Sequence, residues 1–229
     1  MRTWCNRHPI GFMGYFLVFY LLFFFWLEHR HPVAELVIHC PLDDWIPFCK
    51  YAVIPYFLWF AWIPVSLLLW LRRAPRPEFW RLCLPLFAGM TLALTFCALV
   101  PNGVHLRPAE VPGQDLFAQA VRWLYRSDTD TNVFPSIHVF NAVTLDLAYQ
   151  RSGLWQGRRR WVRPAARVLD LAVIASTLLL RQHSVLDAAG GIALALILDR
   201  LADRVSRRLT LPRPPCRRRA LSLTSILAA

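Results

Sequence analysis

From residue 10 to residue 27 the chain carries no charged side chain. At about 1.5 Å per residue, a helix of that length crosses most of a hydrocarbon core of ~30 Å. The same kind of run returns at 51–71 and 79–100 and, in shorter form, at 135–150, 168–183 and 185–201. Backbone that meets lipid has to satisfy its own hydrogen bonds, so the expected fold is an all-α, polytopic membrane helix bundle of about six transmembrane helices. Composition agrees: 56% of the 229 residues are hydrophobic and only 17% are charged, too apolar for a soluble domain of this size. Pro55 and Pro64 fall inside the second run, where membrane helices tolerate them. No small-x-small site separates the first run from Glu28-His29-Arg30-His31, so that run is expected to be an uncleaved anchor.

Charge orients the bundle. Twenty of the 26 basic residues lie before the first run or within 72–81, 151–167 and 200–219, which are alternate connections on one side. The positive-inside rule then places both termini in the cytoplasm. The same clustering in short blocks turns the net charge of +12 away from nucleic acid as a partner. The chain divides into one transmembrane domain, 1–203, and a basic cytoplasmic tail, 204–229, expected to be disordered or to lie on the membrane surface. An integral, multi-pass protein of the plasma membrane is the expected setting. The six Cys have no C-x-x-C or Cys/His metal spacing, and the scattered acids form no carboxylate cluster, so neither a metal nor another cofactor is expected. Cys40 and Cys49 share one short loop, where a disulfide and two free thiols stand as alternatives.

Under this topology, three segments far apart in sequence bring ionisable residues to the extracytoplasmic face. They carry Arg107 after the third run, His138 at the start of the fourth, and Arg181, His183 and Asp187 at the junction of the fifth and sixth. His183 and Asp187 are four apart, so helical spacing through the junction brings their side chains together. A carboxylate on one ring nitrogen fixes the tautomer and frees the other nitrogen to attack. A second histidine can hold the proton that a leaving oxygen needs. One histidine neutral and the other charged predicts a bell-shaped pH profile. Arg107 and Arg181 are suitable forks for phosphate oxygens. The N–H groups around Ser136 and Ile137 open a helix, with Pro135 expected in its first turn, and form an anion site. The set fits metal-free phosphoryl transfer on a lipid or polyprenyl phosphate.

Each residue also has a plainer assignment. His183 can be an interfacial residue at a helix end, Asp187 a helix N-cap, and His138 a donor to a neighbouring carbonyl. Arg107 and Arg181 can reach to headgroups, and His105 reads as a loop residue. Asp146 and Asp170 are assigned to pairing with the arginines of 151–167. Residues 115–126 form an amphipathic helix with Leu116, Phe117, Ala120, Val121 and Leu124 on one face and Trp123 and Tyr125 as anchors. It reads as an interfacial helix, with a lid over a lipid as its other use. The competing class for the whole chain is a non-catalytic transporter or lipid-binding protein. Transporters favour internal repeats and broken helices near the midplane, and this sequence has no repeat and puts its candidates at helix ends.

Arg107-Pro108, then Phe134-Pro135-Ser136-Ile137-His138, then His183-x3-Asp187 resemble, in that order, the motifs of the type 2 phosphatidic acid phosphatase superfamily. The closer resemblance is to its branch resembling inositol phosphorylceramide synthases, and it covers residues 40–198. Val100 stands where the first motif has lysine, Ile137 where the second has glycine, and Thr177, after Ser176, where the third has arginine. The resemblance implies a membrane lipid-phosphate phosphatase or phosphotransferase. His183 would be the nucleophile that becomes phosphohistidine, Asp187 its orienting partner and His138 the general acid, with Arg107 and Ser136 holding phosphate. Arg181 has no counterpart in these motifs, and its phosphate role rests on its charge and position.

Overall fold

The structure, a computed structural model, describes residues 7–30, 34 and 36–210. Helix α1, Pro9–His29, opens with Pro9 in its first turn, where the missing N–H costs nothing. It packs chiefly on α4, with Phe16 stacked on Phe87 at 4.0 Å. Strand β1, Leu36–Val37, and the short helix α2, Pro41–Trp45, follow. A 3₁₀ turn, Lys50–Ala52, leads into α3, Val53–Arg73. Ala74 is extended, as the residue before a proline must be, and separates α3 from α4, Arg76–Leu99.

After β2, Asn102–Gly103, come the amphipathic helix α5, Leu116–Ser127, and three bundle helices. These are α6, Ile137–Arg151, α7, Val162–Leu179, and α8, Val185–Thr210. Among the described residues, three stretches, Pro9–His29, Lys50–Arg73 and Arg76–Leu99, are helices long and apolar enough to cross a membrane, with mean hydropathies of 2.1, 1.9 and 2.1.

Helix α6 is the axis. It packs against α3, α4, α7 and α8, and eight of its fifteen residues are buried, from His138 through Tyr149. A helix enclosed on all sides shows no single apolar stripe. Two close approaches seat its neighbours. Gly89 on α4 faces the Phe140 ring so closely that a Cβ would lie 1.9 Å from it, and at Gly191 on α8 a Cβ would lie 2.6 Å from the Ser136 carbonyl oxygen.

One end of the bundle collects the C-terminal ends of α1, α4 and α7 and the N-terminal ends of α3, α6 and α8. Arg30 donates to the Ala98 carbonyl, the Cys49 N–H to Leu179, and the Ser136 N–H to Asp187. The opposite end is held by ion pairs. Arg81 meets Asp199 and Asp203 at 3.1 and 2.7 Å, Arg151 contacts Asp199, and Arg167 grips both oxygens of Asp146.

Several expected boundaries move. The fifth helix runs from Val162 to Leu179 rather than 168–183, so His183 sits beyond its end. Pro135 precedes the N-cap Ser136 and lies outside the first turn of α6. Helix α8 continues through Thr210, past the expected end at 201 and into the tail expected from 204; residues 211–229 of that tail lie outside the described residues. The all-helical expectation gains a two-residue parallel pair, Leu36 opposite Asn102 and Val37 opposite Gly103, which satisfies backbone groups of the connecting loops. Cys40 and Cys49 are free thiols.

Candidate active site

The sequence between Thr177 and Asp187 turns a helix end into a helix start in very few residues. Helix α7 is closed by Thr177, whose carbonyl accepts the Gln182 and His183 N–H groups at 3.0 and 3.3 Å, while Arg181 takes a positive φ of 56°. Helix α8 begins with a reciprocal cap. The Leu186 N–H donates to the Ser184 hydroxyl at 3.1 Å, and the Ser184 N–H donates to the Asp187 carboxylate at 2.8 Å, the capping-box arrangement. Asp187 also lies 3.5 Å from His183 Nδ1. The two side chains meet as expected, but through this cap and not through continuous helical spacing, because residues 180–184 are not helical.

His138 arrives from the first turn of α6. Its Nδ1 lies 3.4 Å from His183 Nε2, and both histidines are more than nine-tenths enclosed. The His138 ring rests against Trp59 and Tyr56 of α3, with centroids at 4.1 and 4.5 Å. Ser136 is fully buried; its hydroxyl accepts the Val139 N–H at 3.4 Å and its N–H donates to the Asp187 carbonyl at 3.1 Å. The helix starts of α6 and α8 are thereby tied together at the residues that flank the histidines.

The two arginines differ from expectation in what they touch. Arg107 sends its two terminal nitrogens to the carbonyls of Tyr125 and Asp128, at 3.0 and 2.7 Å, with its guanidinium 4.5 Å from the centroid of the Tyr125 ring. Arg181 donates to the Ile46 carbonyl. His105 is an exposed loop residue 4.0 Å from Asp130. Asp146 pairs with Arg167 as expected, but Asp170 does not join the arginines. It is buried and accepts a hydrogen bond from the Trp62 indole at 2.9 Å, two turns inside α7 and not at its end.

Several buried polar atoms around the pair lack a hydrogen-bond partner: His138 Nε2, His183 Nδ1, Asp187 Oδ1, Gln182 Oε1 and both amide atoms of Asn141, one turn along α6 from His138. Unpaired buried polar groups each cost roughly 1–3 kcal/mol, and six such atoms lie around the pair.

Three contributors were not legible. Asp43 is buried at the tip of α2 and accepts from the Ser184 hydroxyl at 2.7 Å, the Val185 N–H at 2.8 Å and the Cys40 N–H at 2.8 Å. Burial pushes its carboxyl upward, but these three donors outweigh burial and hold it below the ordinary carboxylate range. Asn102, also fully buried, accepts the Val133 and Phe134 N–H groups at 3.0 and 2.8 Å and so shapes the approach to Ser136. Tyr56 donates to Asp128 at 2.6 Å while its ring supports His138. The only local signal was the run Cys40-Pro41-Leu42-Asp43, which has the spacing of a helix start. No protein-family profile and no curated protein matches the chain.

Proposed function

We propose that this protein is a membrane enzyme that cleaves or transfers the phosphate-bearing headgroup of a lipid or polyprenyl phosphate through a phosphohistidine. It spans the membrane six times with both termini in the cytoplasm, as a multi-pass protein of the plasma membrane, and its histidines open to the extracytoplasmic side. The observation that carries the reading is the buried contact between His138 and His183, with Asp187 on the far nitrogen of His183. The enclosure of α6 by four helices supports the span count: its polar groups face protein, which lets a short helix bearing them lie within a membrane.

In the reaction His183 Nε2 attacks phosphorus as the bond to the leaving oxygen breaks, and His138 delivers a proton to that oxygen. In the second half His138 takes a proton from water or an alcohol, whose oxygen attacks phosphorus and frees His183. Asp187, fixed by the Ser184 N–H, keeps the proton on His183 Nδ1 and steadies the charge that grows on the ring. Arg107, Arg181 and Ser136 are the phosphate-holding residues. The order requires one histidine neutral and the other charged at the outset, so the pH–rate profile is bell-shaped.

The test is phosphate release in EDTA from a panel of phospholipids and polyprenyl diphosphates, with and without acceptor alcohols. The expected result is metal-independent turnover that falls by roughly 10³-fold in His183→Ala and 10²–10⁴-fold in His138→Ala, with an acid-labile phosphoryl group trapped on His183. Turnover undiminished in His183→Ala, or dependent on a metal, would sink the reading.

A further inference from the structure

The histidine pair is closed. In-line transfer places the attacking nitrogen ~3 Å from phosphorus and the proton donor within ~3 Å of the leaving oxygen on the far side of the breaking bond, so the two nitrogens need to stand about 7 Å apart with the phosphoryl group between them. They stand 3.4 Å apart. Cavities of about 180 and 300 Å³ form elsewhere, beside Arg81 and Asp199 and beside Trp155 and Leu169, and neither is lined by His138 or His183.

Helix α5 packs beside the pair, on residues that flank and support it. Val121 and Leu124 pack on Tyr56 and Leu180, the Tyr125 hydroxyl donates to the Leu180 carbonyl at 2.6 Å, and Asp128 accepts from Tyr56 and, at 3.4 Å, from Gln182. The helix is thus fastened to the chain immediately before His183 and to the ring that supports His138. Its outer side sets Leu116 and Trp123 among the polar Gln119 and Arg126, all of them exposed. Two fastenings close it. Lys50 pairs with Asp115, the N-cap, at one end. At the other, Arg107 clamps the Tyr125 and Asp128 carbonyls with both terminal nitrogens. Gly113, at φ 92°, lies two residues before the cap and gives a pivot that a side chain would oppose.

We infer that α5 is a lid over the histidine pair and that Arg107 is its latch, exchanging the Tyr125 and Asp128 carbonyls at the C-terminal end of α5 for the phosphate of the substrate when the lid opens. The inference rests on the function proposed above for the identity of the phosphate. The latch explains why an arginine placed to receive an anion has its terminal donors spent on neutral carbonyls. A dianionic phosphate is the stronger partner for a guanidinium, so admission of the headgroup draws Arg107 off α5 and releases the C-terminal half of the lid. The exposed Leu116 and Trp123 then meet lipid at the interface.

The test locks the lid and reads the histidines directly. Phe57→Cys and Trp123→Cys, whose native rings lie 5.9 Å apart, are joined in the full-length protein in phospholipid vesicles by a short reducible thiol cross-linker. Each single-cysteine variant serves as the control for the native thiols. The readout is the rate at which diethyl pyrocarbonate modifies His138 and His183, followed by peptide mass spectrometry, with exposed His39 and His105 as internal references. The lock is expected to slow modification of the buried pair at least tenfold, reversibly with reductant, and Arg107→Gln without a lock to speed it several-fold. Unchanged modification in the locked protein overturns the lid, whatever its catalytic activity, and unchanged modification in Arg107→Gln overturns the latch. If the lock protects the histidines but the unlocked protein releases phosphate from no lipid tested, the lid stands and the proposed function falls.

Discussion

Asp43 gathers three donors on one buried carboxylate, two of them from residues more than 140 positions later. Because its folded pKa lies below the ordinary value, its contribution to stability is present above about pH 4 and is lost as the pH falls through the lowered value. Asp43→Asn is expected to lower stability by roughly 1–3 kcal/mol at neutral pH. Its melting temperature should fall less on acidification, so that the two proteins converge at low pH; parallel curves would show that Asp43 is not the group that titrates. The Cys40 bond is local and has the spacing of a helix start, but the Ser184 and Val185 partners are set by tertiary contact alone and leave no mark in the sequence around Asp43. His183 and Asp187 were legible for the opposite reason: their spacing is local. Arg107 and Arg181 were legible in position but not in partner, because charge alone does not say whether a guanidinium meets phosphate or a carbonyl.

At the scale of the element, the apolar runs gave the long helices because length and hydropathy alone decide them. They gave the start of α7 and the end of α8 less well. The arginines at 163 and 167 extend polar heads from a helix whose backbone begins at Val162, so composition put the helix start too late. The enclosure of α6 has a direct measure in Gly89, which leaves room for the Phe140 ring. Gly89→Ala is expected to destabilise the protein by ~1–3 kcal/mol through overpacking, and adding Phe140→Leu should restore much of it. Equal losses in the single and double variants, read by unfolding in a mild detergent, would mean that the two sites do not share the space.

For the whole molecule, the proposed six-span arrangement predicts which connections are reachable from each side. Single cysteines at Arg76 and Gln156 should react with an impermeant thiol reagent only from the cytoplasmic side, and one at Glu110 only from outside; labelling of Glu110 and Gln156 from one side would break the topology. Charge asymmetry is the basis of the proposed orientation, and the two ends of the bundle differ in kind: aspartate–arginine pairs at the arginine-rich end, capping hydrogen bonds, arginine-to-carbonyl bonds and the Lys50–Asp115 pair at the other. That second end contains the reciprocal cap at Ser184 and Asp187 and the bond from Ser136 to the Asp187 carbonyl. One aspartate therefore serves as joinery between two helices and as the companion of a histidine. Under the proposed function, a genetic selection at position 187 would collect misassembled proteins and inert, well-assembled ones under a single phenotype, and telling them apart requires weighing how much protein reaches the membrane as well as what it does there.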